Sequence, residues 1–281
     1  MEIKEVEASR ALNPTSIDLG EYVINPYKGC AYGCLYCYAR FSKVAQKDER
    51  AWGEYVDVRV NLPELLKKEV AAKRPGRVLL GSTTECFQPA EKKYGITKKI
   101  LRILNDNGVK FSILTRSPGA LDCLDELKSG YCEKLYFTVN TYGGVLKSAL
   151  EPRSPAFEDR RHAIQTLCEN GVNVIPYVSP LLPGLTDIAL AFEMFSGSGR
   201  IEFEGLNFNL GNIRSLIEAV SERFPERSVL YEKMLSDVEY YGSVWNSVSS
   251  EIRKNAVKHK KNHSIYIHER GGYFENKYSS K

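Results

Sequence analysis

Three cysteines lie close together in NPYKGCAYGCLYCYAR, at positions 30, 34 and 37. They directly follow YVINPY (22–27), a run that reads as a β-strand, and Gly29 and Gly33 let the intervening loop turn tightly. Cys30, Cys34 and Cys37 can therefore converge on one ion or cluster. A structural zinc site usually takes four protein ligands. No fourth cysteine or histidine is near, and His162 stands 125 residues beyond Cys37. A [4Fe–4S] cluster on three thiolates fits better, because it leaves one iron open to a substrate or cofactor. The other four cysteines, Cys86, Cys123, Cys132 and Cys168, are scattered and form no second C-x-x-C pair. With an odd total of seven and no secretory leader, a disulfide framework is not expected.

The elements that must position this loop alternate along the chain. VLLGST (78–83) precedes ITKKILRILNDN (96–107), where Ile96, Ile100, Leu101 and Leu104 share one helical face. KFSILT (110–115), KLYFTVNT (134–141), VNVIPYVS (172–179) and RIEFEGLNFN (200–209) follow, separated by helical stretches. Counting YVINPY, there are six strand-then-helix units, which argues α/β architecture with a parallel sheet and too few units for a full eight-fold barrel. Residues 211–260 read as helices, and HSIYIHERGGYFENK (263–277) reads as a β-hairpin about Gly271 and Gly272. We expect one domain over 1–281, with a barrel core at 20–210 and a helical and hairpin extension at 211–281. In such folds function gathers at the carboxyl ends of the strands. Polar groups collect there: Ser82, Thr83, Thr84 and Glu85, then Thr115, Arg116 and Ser117, then Thr138, Asn140 and Thr141.

Composition places limits on function. At 43% hydrophobic and 26% charged over 281 residues, the chain is neither disordered nor collagen-like. No apolar run approaches the roughly 18 residues that span a bilayer. The acid-bearing start MEIKEVEASR lacks a signal-peptide core, so a cytoplasmic protein without a membrane partner is expected. Net charge is +4, unevenly spread: residues 251–281 hold eight basic side chains against three acidic ones, leaving −1 on the first 250. Arg253, Lys254, Lys258, Lys260 and Lys261 can meet a polyanion such as nucleic acid, with Tyr266 or Tyr273 to stack on a base. The alternative is a solvated helix surface.

The C-x3-C-x2-C pattern, with Tyr36 before the third cysteine, resembles the radical S-adenosyl-L-methionine (SAM) superfamily. TECFQPAE, LEPRSP and PLLPGLTD, together with the cysteine segment, resemble the branch containing spore photoproduct lyase and related DNA repair photolyase proteins. The resemblance spans about residues 12–210. It implies a partial (β/α)6 TIM-type barrel, a [4Fe–4S] cluster and SAM as cofactors, and an electron donor of the flavodoxin or ferredoxin kind. The chemistry it implies is reductive cleavage of SAM to a 5′-deoxyadenosyl radical that abstracts hydrogen from substrate.

Residue roles follow from the same resemblance. Arg116 stands where the branch has a Lys that meets the SAM carboxylate, and Arg can do so with two parallel hydrogen bonds. Thr84 and Glu85 occupy the segment that reads the SAM ammonium, Glu85 in place of a more usual Asp. Thr138 and Asn140, two apart on a strand, point to one face as SAM or ribose contacts, or satisfy backbone groups instead. Glu151 and Arg153 would lie near the ribose or form an internal ion pair. Tyr36 suits adenine, and Pro180 and Leu181 its apolar wall.

One departure limits the implication. Spore photoproduct lyases carry a hydrogen-donating cysteine at the position occupied here by Ser82, and a serine O–H bond is too strong for that task. Ser82 therefore stays with the cofactor-binding residues. Cys86 is the nearest thiol and the candidate catalytic donor, unless it is simply a small buried residue. The substrate is thus sought in two classes: a nucleic acid or nucleotide, or a small metabolite or peptide. A third reading is a non-enzymatic iron–sulfur or zinc-binding module.

Overall fold

Short apolar runs become strands and amphipathic runs become helices, and the order of the two is the one expected. The computed structural model describes residues 1–42, 45, 47–140, 144–195 and 197–270. Its strands are β1 (Glu2–Val6), β2 (Asn13–Pro14), β3 (Tyr22–Ile24), β4 (Tyr27–Gly29), β5 (Tyr55–Arg59), β6 (Arg77–Leu80), β7 (Lys110–Thr115), β8 (Cys132–Thr138), β9 (Val174–Leu181), β10 (Arg200–Gly205) and β11 (Asn262–Tyr266). The six strands read from the sequence are β3, β6, β7, β8, β9 and β10. The chain packs as two compact units, the first comprising Met1–Gly33, Tyr38–Phe137 and Arg153–Val174. The second comprises Cys34–Cys37, Thr138–Pro152 and the described chain from Ile175 onward.

In the first unit β3, β6, β7 and β8 are parallel neighbours in that order, with β2 antiparallel at the edge of β3. The helix Ile96–Asp106 buries Ile96, Ile100, Leu101 and Leu104 as its periodicity predicts, and Ile103 as well. Each such side chain contributes about 1.5–3 kcal/mol relative to exposure. A second sheet was not legible in the sequence: β1 runs parallel to β5, and β4 antiparallel to it. The run YVINPY is thus split, its first half in the parallel sheet and its end in this smaller one.

In the second unit β9, β10 and β11 are parallel neighbours. The 22-residue helix Val238–His259 leads into β11 and buries Tyr241, Trp245 and Ile252, capped at its start by the Asp237 side chain, which accepts from the Tyr240 N–H. The first arm of the expected hairpin is therefore β11, and it pairs in parallel with β10 after a helical crossover. Gly271, Gly272 and Tyr273 of that hairpin lie outside the described residues, as do Thr141 and the tail residues Glu275, Lys277 and Lys281. Among the described residues no helix is long and apolar enough to cross a membrane.

Candidate functional site

The short strand β4 delivers the cysteine loop. Gly29, its last residue, has φ +79°, and a Cβ there would lie 2.4 Å from the Tyr55 carbonyl oxygen and 2.6 Å from the Tyr55 ring. Only glycine fits that conformation and that approach. Within the first unit the Thr84 hydroxyl donates to the Gly29 carbonyl at 2.6 Å, and Gln88 Oε1 accepts the Ala31 N–H at 2.9 Å. Within the second unit the Leu35 N–H donates to the Leu150 carbonyl at 2.9 Å, and Asn212 Nδ2 donates to the Leu35 carbonyl at 2.8 Å.

Cys30, Cys34 and Cys37 are not in disulfides; Cys34 is buried and the other two are partly exposed. Among the described residues no group of three His, Cys, Asp or Glu side chains is gathered for a single metal ion. A cubane cluster makes a different demand, since each thiolate binds a separate iron. Three soft thiols on a loop pinned from its backbone suit that group, whereas a one-ion zinc cage would require convergence and a fourth ligand.

At the carboxyl ends of β6 and β7, Glu85 is the hub of the first unit. Its Oε1 accepts the Thr115 hydroxyl at 2.6 Å and the Phe87 N–H at 3.0 Å, while Oε2 accepts the Arg116 N–H at 2.9 Å. Burial raises the Glu85 carboxyl above its ordinary value, and these donors oppose the rise. A solvated loop carboxylate is thereby excluded. Three of about four acceptor positions are occupied, leaving one for an incoming donor. Thr84 is committed to the cysteine loop, with its hydroxyl also accepting from Gln88 Nε2 at 3.3 Å.

The second unit has its own network. Tyr36 donates its hydroxyl to Glu151 Oε1 at 2.5 Å, and Asn140 Nδ2 donates to the same oxygen at 2.9 Å and to the Ser179 carbonyl at 3.1 Å. Glu151 is fully buried, and Thr138 and Asn140 are nearly so. Pro180 and Leu181 end β9, both buried, as an apolar wall requires.

The chain can be set against known proteins with this geometry in view. The model of the radical SAM superfamily matches residues 24–191, a span that holds the cysteine loop, Glu85, Arg116, Asn140 and Glu151. This chain belongs to the radical SAM superfamily. The uncharacterized protein MJ0683 of Methanocaldococcus jannaschii is 32% identical over 254 residues, covering 89% of this chain and 95% of that one. A spore photoproduct lyase complexed with a dinucleoside spore photoproduct superposes with a TM-score of 0.65 at 16% identity, covering 94% of this chain and 82% of the lyase. A variant of spore photoproduct lyase gives a TM-score of 0.60 at 18% identity over 78% of this chain, which spans 65% of that lyase's length. The fold is the α/β, partial TIM-barrel class of radical SAM enzymes.

Several candidate residues take places that spacing did not foretell. Cys86 is fully buried, a Cβ on Gly81 would lie 3.0 Å from its Sγ, and burial pushes its thiol well above 9.0. That packing is the one expected of a small buried residue, the alternative to a hydrogen donor. The Ser82 hydroxyl accepts from Asn25 Nδ2 at 3.1 Å, and the Ser82 carbonyl accepts the Tyr38 hydroxyl. Arg153 pairs with Glu54 at 2.9 Å, and its Nη2 would meet a Cβ on Gly33 at 2.8 Å or on Gly53 at 2.4 Å. It therefore braces the cysteine loop through an ion pair that is partly solvated. Lys261 is also spoken for, since its ammonium donates to the Phe195 carbonyl at 2.7 Å and to the Ser198 carbonyl. Two of its three donors are thus turned to internal carbonyls rather than to solvent. Tyr266 meets His268 edge-on, at 4.7 Å between centroids and 88° between planes.

Gln88, Tyr177, Ser179, Glu204 and His268 are not marked by the sequence reading, whereas Thr115 is among the strand-end polar groups it singles out. For Glu204 a signal was available: in RIEFEG the acids alternate with Ile201 and Phe203, which marks a strand with one polar face.

Proposed function

We propose that this radical SAM enzyme reductively cleaves SAM at a [4Fe–4S] cluster held by Cys30, Cys34 and Cys37 and removes hydrogen from a nucleic acid or nucleotide. The observation that carries this reading is the family match over 24–191, which includes the three cysteines of the glycine-bounded loop. When bound, the cluster supplies one electron to SAM, and the cofactor pair provides the radical chemistry. The chain's own residues bind and orient. Arg116 meets the SAM carboxylate with a guanidinium whose backbone Glu85 anchors. Glu85 offers its remaining acceptor position to the ammonium. Thr138 and Asn140 serve the ribose, Tyr36 the adenine, and Pro180 and Leu181 exclude water from that side.

The nucleotide class is supported by the fold shared with a lyase that binds a dinucleoside photoproduct, and by the basic residues of 251–281. Repair of the spore lesion itself is not proposed, because Ser82 stands in place of the donor thiol and Cys86 is buried. The small-metabolite class keeps one observation in its favour: Lys261, inside the basic segment, is consumed by internal carbonyls. Chains 1–281 would act as one functional domain, in the cytoplasm, where a reducing environment protects free thiols. A flavodoxin or ferredoxin-like protein would supply the electron.

Anaerobically reconstituted protein with a strong reductant and SAM should release 5′-deoxyadenosine. Deuterium transfer from labelled nucleotides or metabolites into that product then identifies the substrate class. Absence of 5′-deoxyadenosine from iron-loaded protein would remove the proposal.

A further inference from the structure

The second unit carries a group of titratable side chains that the cofactor reading leaves unused. On β10, Ile201 and Phe203 are buried while Glu202 and Glu204 are half-buried, so the two acids share the opposite face. Strand register extends that polar face to both neighbours. Glu202 stands beside Tyr177 of β9 and Ser264 of β11, and Glu204 stands beside Tyr266. Tyr177 and Ser179 are half-buried and flank buried Val178, so they follow the same alternation.

Glu204 is the centre of this face. Its Oε2 accepts the Tyr177 hydroxyl at 2.9 Å and the Ser179 hydroxyl at 2.6 Å, and its Oε1 lies 3.0 Å from His268 Nε2. Three partners leave about one acceptor position on a carboxylate. Burial works against the charge, yet hydrogen bonds from His268, Ser179 and Tyr177 hold the carboxyl below its ordinary value. The Glu204 side chain is 26% exposed, so the group is open on one side.

The segment that brings His268 is held at three consecutive residues. Tyr241 donates its hydroxyl to the His268 carbonyl, Asn209 Nδ2 donates to the Glu269 carbonyl at 2.6 Å, and Arg270 Nη1 donates to the Met234 carbonyl at 3.0 Å. A site is thereby built in advance of any ligand. Ser179 joins it to the Tyr36–Glu151–Asn140 network, because its carbonyl accepts from Asn140 while its hydroxyl donates to Glu204. The chain of hydrogen bonds runs within one unit from the residue before Cys37 to His268.

We propose that Glu204 and His268, with Tyr177 and Ser179, form the substrate-recognition site of this enzyme, taking a group that presents N–H or O–H donors. A nucleobase amino or imino edge, or a sugar hydroxyl, meets that description. A phosphate does not, since Glu202 and Glu204 both carry negative charge on this face and Arg200 is paired with Glu202 at 2.6 Å. The nucleoside form of this inference rests on the nucleotide reading above.

The test uses reconstituted, SAM-loaded protein and ligand-observed NMR with thymidine, cytidine, adenosine and guanosine, and inorganic phosphate as competitor. At least one nucleoside should bind wild type, phosphate should not displace it, and Glu204→Gln and His268→Gln should each weaken it by about tenfold or more, the loss of one hydrogen bond to a charged partner. Iron content and SAM affinity report the folded cofactor site in each variant. Should Glu204→Gln fail to fold, His268→Gln, which leaves the Glu204 carboxylate its Tyr177 and Ser179 donors, decides the matter. No nucleoside binding, displacement by phosphate, or unchanged affinity in a folded variant would overturn the proposal. Failure of the radical SAM reading is separate: wild type would then bind the nucleoside and yield no 5′-deoxyadenosine.

Discussion

The carboxylate of Glu85 accepts the backbone N–H of Arg116 at 2.9 Å while its other oxygen holds Thr115 at 2.6 Å. One buried acid thus fixes the end of β7, and with it the root of the cation expected to meet SAM. Arg116→Ala is expected to weaken SAM binding by roughly 1.5–3 kcal/mol, the range for a hydrogen bond to a charged partner. Iron content should stay at the wild-type level. Equal SAM affinity in calorimetry would assign the carboxylate to another residue.

The cysteine loop makes two linked demands, on its thiols and on its glycines. Wild type should take up about four irons per chain, and the Cys30→Ala, Cys34→Ala, Cys37→Ala variant almost none. Gly29→Ala should cost about 1–3 kcal/mol from left-handed strain alone, and more from its 2.4 Å encounter with Tyr55. Gly33→Ala is expected to be milder, because the nearest atom is the mobile end of Arg153 at 2.8 Å. Thermal unfolding and iron retention, ranked wild type, Gly33→Ala, Gly29→Ala, check this; the reverse order would refute the loop geometry.

Thiol chemistry separates the core cysteines from the loop. Burial pushes Cys123 and Cys132 up to about 12 and Cys86 well above 9.0. At pH 8 a thiol of pKa about 12 is thiolate in about one molecule in ten thousand. Iodoacetamide on native iron-free protein should therefore spare Cys86, Cys123 and Cys132 and label Cys30 and Cys37, read by peptide mass spectrometry. Cys86→Ala should retain 5′-deoxyadenosine formation and lose only modest stability. A Cys86→Ala protein that folds and binds iron but forms none would restore Cys86 to the chemistry.

Lys261 and its neighbours should part ways. Lys261→Ala removes an ammonium held by two carbonyls and should lower stability by roughly 1.5–3 kcal/mol, the range for hydrogen bonds to a charged group. Lys258 and Lys260 are exposed, so their joint replacement by Ala should leave stability within about 0.5 kcal/mol. If nucleic acid binds this segment, that double variant should flatten the log–log salt dependence by about 2 units. Filter binding across salt, with thermal melts alongside, distinguishes the two effects.

The sequence by itself determined the features that are local to the chain. Three thiols at short spacing beside two glycines, and six apolar runs alternating with amphipathic helices, were legible because spacing and period are properties of neighbouring residues. Strands β3, β6, β7, β8, β9 and β10 follow from them. The sheet of β1, β5 and β4 did not, since EIKEV is mostly exposed and shows no alternation of burial, and its partner lies some fifty residues away. β11 carried a readable alternation, but alternation does not say which strand it joins, and it joins β10 in parallel.

Tertiary structure alone decided the partners. Cys86 is four residues from Ser82, yet the turn between them sends its thiol into the core. Lys261 looks like the basic residues before it until two carbonyls more than sixty positions earlier are found around its ammonium. Glu204 and His268 are likewise separated by 64 residues and meet through the register of β10 and β11. A hydrogen bond needs its atoms about 3 Å apart, and for residues so distant along the chain only sheet register and helix packing can bring that about.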